Sequence, residues 1–349
     1  MMTRPRDPSD IDGILARLRA GESPDPGAAE HVAHLPTEER ARVLGVLLEE
    51  PTARRWLRGE ILPRLDPATA AAVADWLLTY EADFVPERRD RTTAAVVRAL
   101  PVSELVERAP FLAGSNAAGV LWERLATAGP DTVRDAALRV FREGTPVARE
   151  TTLYLLVLDP YGPGSLPDDG RRALVLAALA DPDEEIRGLA AEVAADEAPD
   201  MLLADTARWV RDSAVRVRAA AWACAFAEDP ERAAEDAVAL LVSEAEPLPA
   251  RRSALLALGE WLTTAQIEPV LTTFVRHPVQ ELAEDAAGLL WTRHRTPVAA
   301  QAASESPHAT VRDIAARLLD PRLGSPLAGG FRSGAEEQGY DFYDPFRER

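Results

Sequence analysis

Two histidines, His31 and His34, stand three apart in EHVAHLPTEE, a spacing that places both on one helical face beside Glu30 or Glu38. Metal sites use such spacing but need a third and fourth ligand. The sequence nominates neither, so the pair reads as solvated surface. Cys224 is the only cysteine. It lies in the apolar run AAWACAFA, the setting of a buried thiol and not of a nucleophile. One thiol forms neither an internal disulfide nor a Cys-based zinc site. No Ser/His/Asp order, HExxH, GxGxxG or paired-carboxylate context occurs. All 39 basic residues are arginine, which removes Schiff-base lysine chemistry and a P-loop lysine. The expectation is a chain with no catalytic residues, no cofactor and no metal.

The elements that would carry any other kind of site follow from composition. At 349 residues the chain exceeds the size at which one core keeps growing, so two domains or one elongated array is expected. Hydrophobic content of 47% with 28% charged residues is that of a folded protein. Alanine and leucine dominate, which favours helix throughout. The net charge of −18 and the pI near 4.8 oppose broad binding to nucleic acid or anionic membranes. The exclusive use of arginine is the mark of a GC-rich genome, and a bacterial source is expected. The opening residues MMTRPRDPSDIDG lack the apolar core of a signal peptide, and no window is apolar enough to span a bilayer. A cytoplasmic protein is expected.

Self-similarity is the strongest signal. The segment DPDEEIRGLA (181–190) recurs as DSAVRVRAAA (212–221), HPVQELAEDA (277–286) and SPHATVRDIA (306–315), with a weaker copy, AEPLPARRSA (245–254), in the gap. The apolar anchors Ile186, Val217, Ala250, Leu282 and Val311 are spaced by 31, 33, 32 and 29 residues. That period holds two helices and two short turns. Asp or Ser followed by Pro caps a helix start. Apolar residues at the anchor, +3, +4 and +7 then mark one buried face. Second helices lie between the copies, for example MLLADTARWV (201–210) and AAEDAVALLV (233–242).

The D-P-x-x-x-V-R-x-x-A pattern resembles the HEAT repeat of the HEAT/armadillo superfamily, over about residues 170–320 and more weakly over 35–160. The resemblance implies an all-α solenoid of stacked antiparallel helix pairs. It also implies a ladder of aspartates and arginines stitching adjacent repeats, carried here by Asp181 with Arg187, Asp212 with Arg218, and Arg312. The fourth copy has His277 and Ala283 in those places, and the ladder is expected to break there. The superfamily hosts many unrelated roles, so the motif speaks for architecture.

The N-terminal half reads as helical hairpins in poorer register: LPTEERARVLGVLLEE, DPATAAAVADWLLTYE, PERRDRTTAAVVRALP, PDTVRDAALRV and PVARETTLYLL. The expected layout is a disordered 1–7, divergent helical repeats over 8–169, HEAT-like repeats over 170–320, and a linker with an aromatic tail over 321–349. A loop, DPYGPGSLPDDG (159–170), interrupts the array. Residues 8–320 are read as one continuous solenoid, the alternative being a separate N-terminal bundle joined at this loop.

Aromatic residues supply the binding candidates. Trp222 falls at +5 from its anchor and Trp291 at +9, off the expected buried stripe, on the side that lines the concave surface in HEAT-like solenoids. They are read as partner anchors, against the plainer reading that both pack between repeats. Trp56, Trp76, Trp122, Trp209 and Trp261 are assigned to core. The tail GYDFYDPFRER brings Tyr340, Phe342, Tyr343 and Phe346 together after a Gly- and Ser-rich linker. Burying four aromatics contributes on the order of 6–12 kcal/mol, and ordering the segment costs roughly 8–16 kcal/mol, so it is expected to dock only on a preformed groove.

The leading expectation is a non-enzymatic scaffold or adaptor that binds a protein partner on the concave surface, with the tail as a docking segment. The alternative is a HEAT-like enzyme of the DNA-alkylation-repeat glycosylase or bilin-lyase type. The glycosylase form needs a basic stripe, for which Arg216, Arg218, Arg251 and Arg252 are available.

Overall fold

Oxygen-bearing residues followed by proline fix where several helices begin. Thr145 accepts the Ala148 N–H at 3.3 Å ahead of Pro146. Asp229 accepts the Arg232 N–H at 3.1 Å ahead of Pro230, and Thr296 the Ala299 N–H at 3.0 Å ahead of Pro297. Each satisfies a donor that the first helical turn leaves without an intrahelical partner. The computed structural model describes residues 11–22, 24, 27–50, 97–159 and 166–320, with a scatter of positions between 52 and 94. Every regular element among them is a helix. The chain divides into two units, Met1–Asp181 and Pro182–Arg349, later than the boundary at 169/170 read from the sequence. Most of the hairpins expected at 66–81 and 86–101, with Trp76, lie outside the described residues, as do 160–165 and the tail aromatics Tyr340, Phe342, Tyr343 and Phe346.

In the first unit, α1 (Ile11–Arg19), α2 (Ala28–His34) and α3 (Thr37–Glu49) share a core of Ile14, Leu15, Leu18, Val32, Val43, Leu44 and Leu47, with Trp56 packed against it. Farther on come α4 (Val102–Leu112), α5 (Ala118–Ala126), α6 (Pro130–Glu143), α7 (Pro146–Leu153) and α8 (Asp168–Leu179). Helix α7 runs into a π-helical turn, Tyr154–Leu158. Helix α6 is the hub, packing against α4, α5, α7 and α8. It buries Val133, Ala136, Ala137 and Val140, the i, i+3, i+4, i+7 stripe of a single-faced helix. Gly129 precedes it at φ 116°, a conformation that favours glycine.

In the second unit the five repeated segments form α9 (Glu184–Glu197), α12 (Val215–Glu228), α14 (Leu248–Trp261), α16 (Gln280–Thr292) and α18 (Ala309–Leu319). Each of these motif helices packs against the next in chain order. Between them lie α10 (Asp200–Leu203) with α11 (Thr206–Trp209), then α13 (Pro230–Val242), α15 (Thr264–Phe274) and α17 (Pro297–Ser304). The single helix expected over 201–210 is two short ones. Asp205 leaves the helical region at φ −149° and its carboxylate caps the Arg208 N–H at 3.3 Å, so the backbone restarts there.

All five anchors are buried, and so are the +4 and +7 positions. The +3 position is not uniformly covered: Leu189, Ser253, Asp285 and Ile314 are half-buried. The +5 position, expected outside the buried stripe, is buried at Ala191, Trp222, Leu255 and Ala287, and exposed only at Ala316 in the last motif helix. The cause is the row itself. A helix flanked on both sides buries a wider arc than a helix lying on a single core, and +5 faces the next motif helix.

The +1 arginines span the same junctions. In the first unit, Arg149 donates from Nη1 to the Gly144 carbonyl at 2.7 Å, before its own helix. Its Nε and Nη2 donate to the two carboxylate oxygens of Asp181 at 2.7 and 3.0 Å. In the second unit, Arg187 donates from Nη1 to the Pro182 carbonyl at 3.0 Å, and its Nε and Nη2 reach Asp212 at 3.2 and 2.9 Å. Arg187 of one copy thus meets the aspartate of the next, and Arg149 adds a rung to Asp181 ahead of it. Arg312, in the last described helix, donates to the Ser306 carbonyl at 2.8 Å.

Arg149 and Asp181 are both buried, so removing one charge strands the other. Asp181→Ala is expected to lower unfolding free energy by about 3–5 kcal/mol, read as a fall in the urea midpoint. Arg149→Met combined with Asp181→Leu is expected to recover most of that loss.

Candidate functional site

The motif helices of the second unit carry an aromatic group that no single copy contains. Phe226, from α12, lies flat against Trp261, from the end of α14, with ring centroids 5.8 Å apart and planes within 3°. Trp222 meets the other side of the group, 6.1 Å from Phe226 and tilted by 50°. Phe226 and Trp222 are buried, whereas Trp261 is 46% exposed. The sequence assignments of the two tryptophans are thus exchanged. Trp222, expected in an open groove, is 2% exposed because +5 is an inter-helix position. Trp261, assigned to core, stands at +11 in the last turn of its helix. The same register holds Glu197, Glu228 and Arg293 in three other copies, all exposed. Aligning the copies at +11 would have revealed this, as the apolar residues at +5 would have revealed Trp222. Trp291 is half-buried, and Trp122 and Trp209 are buried as expected.

Other positions of α14 carry an exposed apolar side chain and ion pairs to the next motif helix. Leu256 on α14 is 42% exposed. Arg252 grips Asp285 of α16 at 2.6 and 2.9 Å, and Glu260 accepts from Arg293 at 2.9 Å. One pair joins the early turns and the other the late turns, so α14 and α16 run parallel. They approach closely at Gly259, where an added Cβ would come within 2.5 Å of the Leu289 side chain. The Gly259 carbonyl accepts from His294 Nε2 at 2.7 Å.

The four arginines of the expected basic stripe are held internally. Arg216 pairs with Glu192 at 2.7 Å and with Glu185 at 3.4 Å, and Arg252 with Asp285. Arg218 and Arg251 are buried and donate to backbone carbonyls.

The fourth copy does not simply break the ladder. His277 Nδ1 accepts the Val279 N–H at 3.0 Å, as Asp212 accepts the Ala214 N–H at 2.8 Å. In the neutral ring Nε2 then carries the hydrogen, and it faces Arg251 Nη2 at 3.4 Å, donor towards donor. Phe274 stacks on the imidazole with centroids 5.2 Å apart. At Ala283 no guanidinium is available, and the junction is made instead by His308, whose Nε2 donates to the His277 carbonyl at 3.0 Å. Burial, then the Arg251 cation, hold the His277 pKa below its ordinary value.

The remaining candidates lie apart from this surface. His34 is exposed, with Nδ1 2.6 Å from the Glu30 carbonyl, and His31 is half-buried. Among the described residues no group of three or more His, Cys, Asp or Glu side chains is arranged to hold a metal ion. Cys224 is buried, and desolvation with the nearby Asp196 charge pushes its thiol up to about 11. No described helix is long and apolar enough to cross a membrane.

No protein-family model matches the chain, and neither does any curated protein sequence.

Two outcomes are expected. A lowered histidine pKa means that the unfolded chain takes up a proton more readily. The stability tied to neutral His277 is therefore complete above pH about 6.5 and declines as pH falls below it. His277→Asp supplies an acceptor for both Val279 and Arg251, and is expected to raise stability by about 1–2 kcal/mol and to flatten the acid limb of urea midpoint against pH. Cys224 is expected to react with a thiol reagent at neutral pH only as fast as the protein opens, so labelling of native protein should accelerate steeply through the unfolding transition.

Proposed function

We propose that this chain is a HEAT-like α-solenoid scaffold whose row of motif helices binds a protein partner, with the tail aromatics Tyr340, Phe342, Tyr343 and Phe346 as a second docking element. The observation that carries the reading is Trp261, half exposed yet held flat against Phe226. An aromatic fixed in orientation before binding forfeits little side-chain entropy when a partner covers it. Large aromatics of this kind are the usual energetic centres of protein interfaces. Trp261 takes the anchoring role first given to Trp222.

Two features support the solenoid: each motif helix packs on its successor, and the arginine rungs connect consecutive copies. The internal engagement of Arg216, Arg218, Arg251 and Arg252 leaves the glycosylase alternative without its basic stripe.

Quantitative affinity capture tests the proposal. Trp261→Ala, with its helical circular dichroism retained, is expected to weaken recovery of the captured partner about thirty-fold or more, the effect of losing about 2 kcal/mol. Alanine at all four tail aromatics should reduce recovery if the tail grips the partner, or increase it if the tail covers the Trp261 surface. Equal recovery by wild type and both variants would sink the reading.

A further inference from the structure

Trp261 has one indole face covered and the other open. Phe226 lies parallel to it, with centroids 5.8 Å apart, yet 46% of the residue is exposed. A ring held in this way takes a second aromatic on its outer face without moving the first, because offset stacking is favourable on both sides of a π-system.

The edge at which Trp261 stands is also the edge from which the tail departs. Helices α14 and α16 run parallel. Helix α18 packs on α16 and starts beside it, since His308, just ahead of one helix, meets the His277 carbonyl just ahead of the other. The three therefore end together: α14 at Trp261, α16 at Thr292 and α18 at Leu319. After Asp320 the chain continues for 29 residues. Two steps between packed helices, about 8–10 Å each, separate α18 from α14. Nineteen residues lie between Asp320 and Tyr340, and a stretch of that length spans about 60 Å when extended. The aromatic segment reaches Trp261 with chain to spare.

Charge selects the same occupant. The path from α18 to Trp261 passes Arg317, in the last turn of α18, and Arg293, at the end of α16, both exposed. Residues 336–344 bring Glu336, Glu337, Asp341 and Asp344 and no base. Beyond Trp261 the same register turns acidic at Glu228. An acidic segment is thus matched on the side from which the tail comes.

We propose that segment 340–346 folds back along this edge of its own chain and lays an aromatic ring on the open face of Trp261, an autoinhibitory contact that a partner must displace. Its regulatory role rests on Trp261 being the anchor for that partner. A weak contact suffices. A short tether holds a segment at about a millimolar effective concentration, so a dissociation constant of that order already covers half of the molecules.

The test uses the full chain without a partner and reads the indole Nε1–H signals of the seven tryptophans in a ¹⁵N correlation spectrum. The Trp261 signal is identified by its loss in Trp261→Phe. Alanine at Tyr340, Phe342, Tyr343 and Phe346 is expected to move that signal and to leave those of the buried Trp122 and Trp209 in place. A synthetic peptide of residues 339–349 should return it towards the wild-type position along a saturating curve, half complete at about a millimolar or below. The wild type, with its own tail in competition, should respond less. An identical Trp261 signal in wild type and the four-alanine variant overturns the proposal, as does an equal response of both to the peptide. A wild-type signal that moves on dilution also overturns it, since the tail would then come from a second copy. These readouts involve no partner: affinity capture unaffected by Trp261→Ala would remove the anchoring role and leave the contact standing, whereas loss of the contact would leave the anchoring role to the capture result.

Discussion

One guanidinium, placed just after the buried anchor of a motif helix, sets the terms for the rest. At Arg149 and Arg187 it touches both its own helix start and the following copy. A planar fork with donors on two edges can do this, because one edge satisfies the carbonyl before the helix while the other grips a carboxylate. A lysine would reach only one of them. The rungs vary: full carboxylate pairs at Arg149–Asp181 and Arg187–Asp212, an edge without an acid at Arg218, an imidazole facing Arg251, and a histidine-to-carbonyl contact at the last junction. Successive junctions are built on one plan with unequal electrostatic quality. Since buried pairs must offset a large desolvation penalty, small changes in the acid alter the joint more than changes elsewhere on the same helix.

Packing in a row explains the surface as well. A motif helix covered on both flanks buries +1 and +5 together with the anchor stripe, which leaves a narrower band of each helix exposed. On that band charges are matched across the junction, Arg216 with Glu192, Arg252 with Asp285 and Glu260 with Arg293. Arginine abundance therefore does not translate into a positive face, in keeping with the net charge of −18. Trp261, braced by Phe226, protrudes from the last turn of α14. A surface of this kind suits recognition by shape and desolvation more than attraction at a distance.

Much of this was legible in the chain. The period near thirty and the five buried anchors came from sequence alone, because amphipathic spacing is a local property that each copy states for itself, whereas the motif helices begin later than the expected Asp/Ser-Pro caps, after Asp183, Ala214, Val279 and His308. The N-terminal hairpins LPTEERARVLGVLLEE and PDTVRDAALRV became α3 and α6 for the same reason. The failures share a physical origin. The 201–210 segment reads as one helix by periodicity, yet Asp205 competes for its backbone and splits it. Trp222 and Trp261 were exchanged because a single-stripe rule ignores the second neighbour that a row of helices provides.

The sequence by itself determined that the chain is helical and which residue anchors each repeat, since both depend on contacts within a few turns. Only the tertiary structure decided the direction of the rungs, the burial of Trp222, the exposure of Trp261 and the unmatched edge of Arg218. Those depend on which side chain of the next copy, some thirty residues away, arrives opposite a given atom. Helix packing fixes that distance, and no local pattern encodes it.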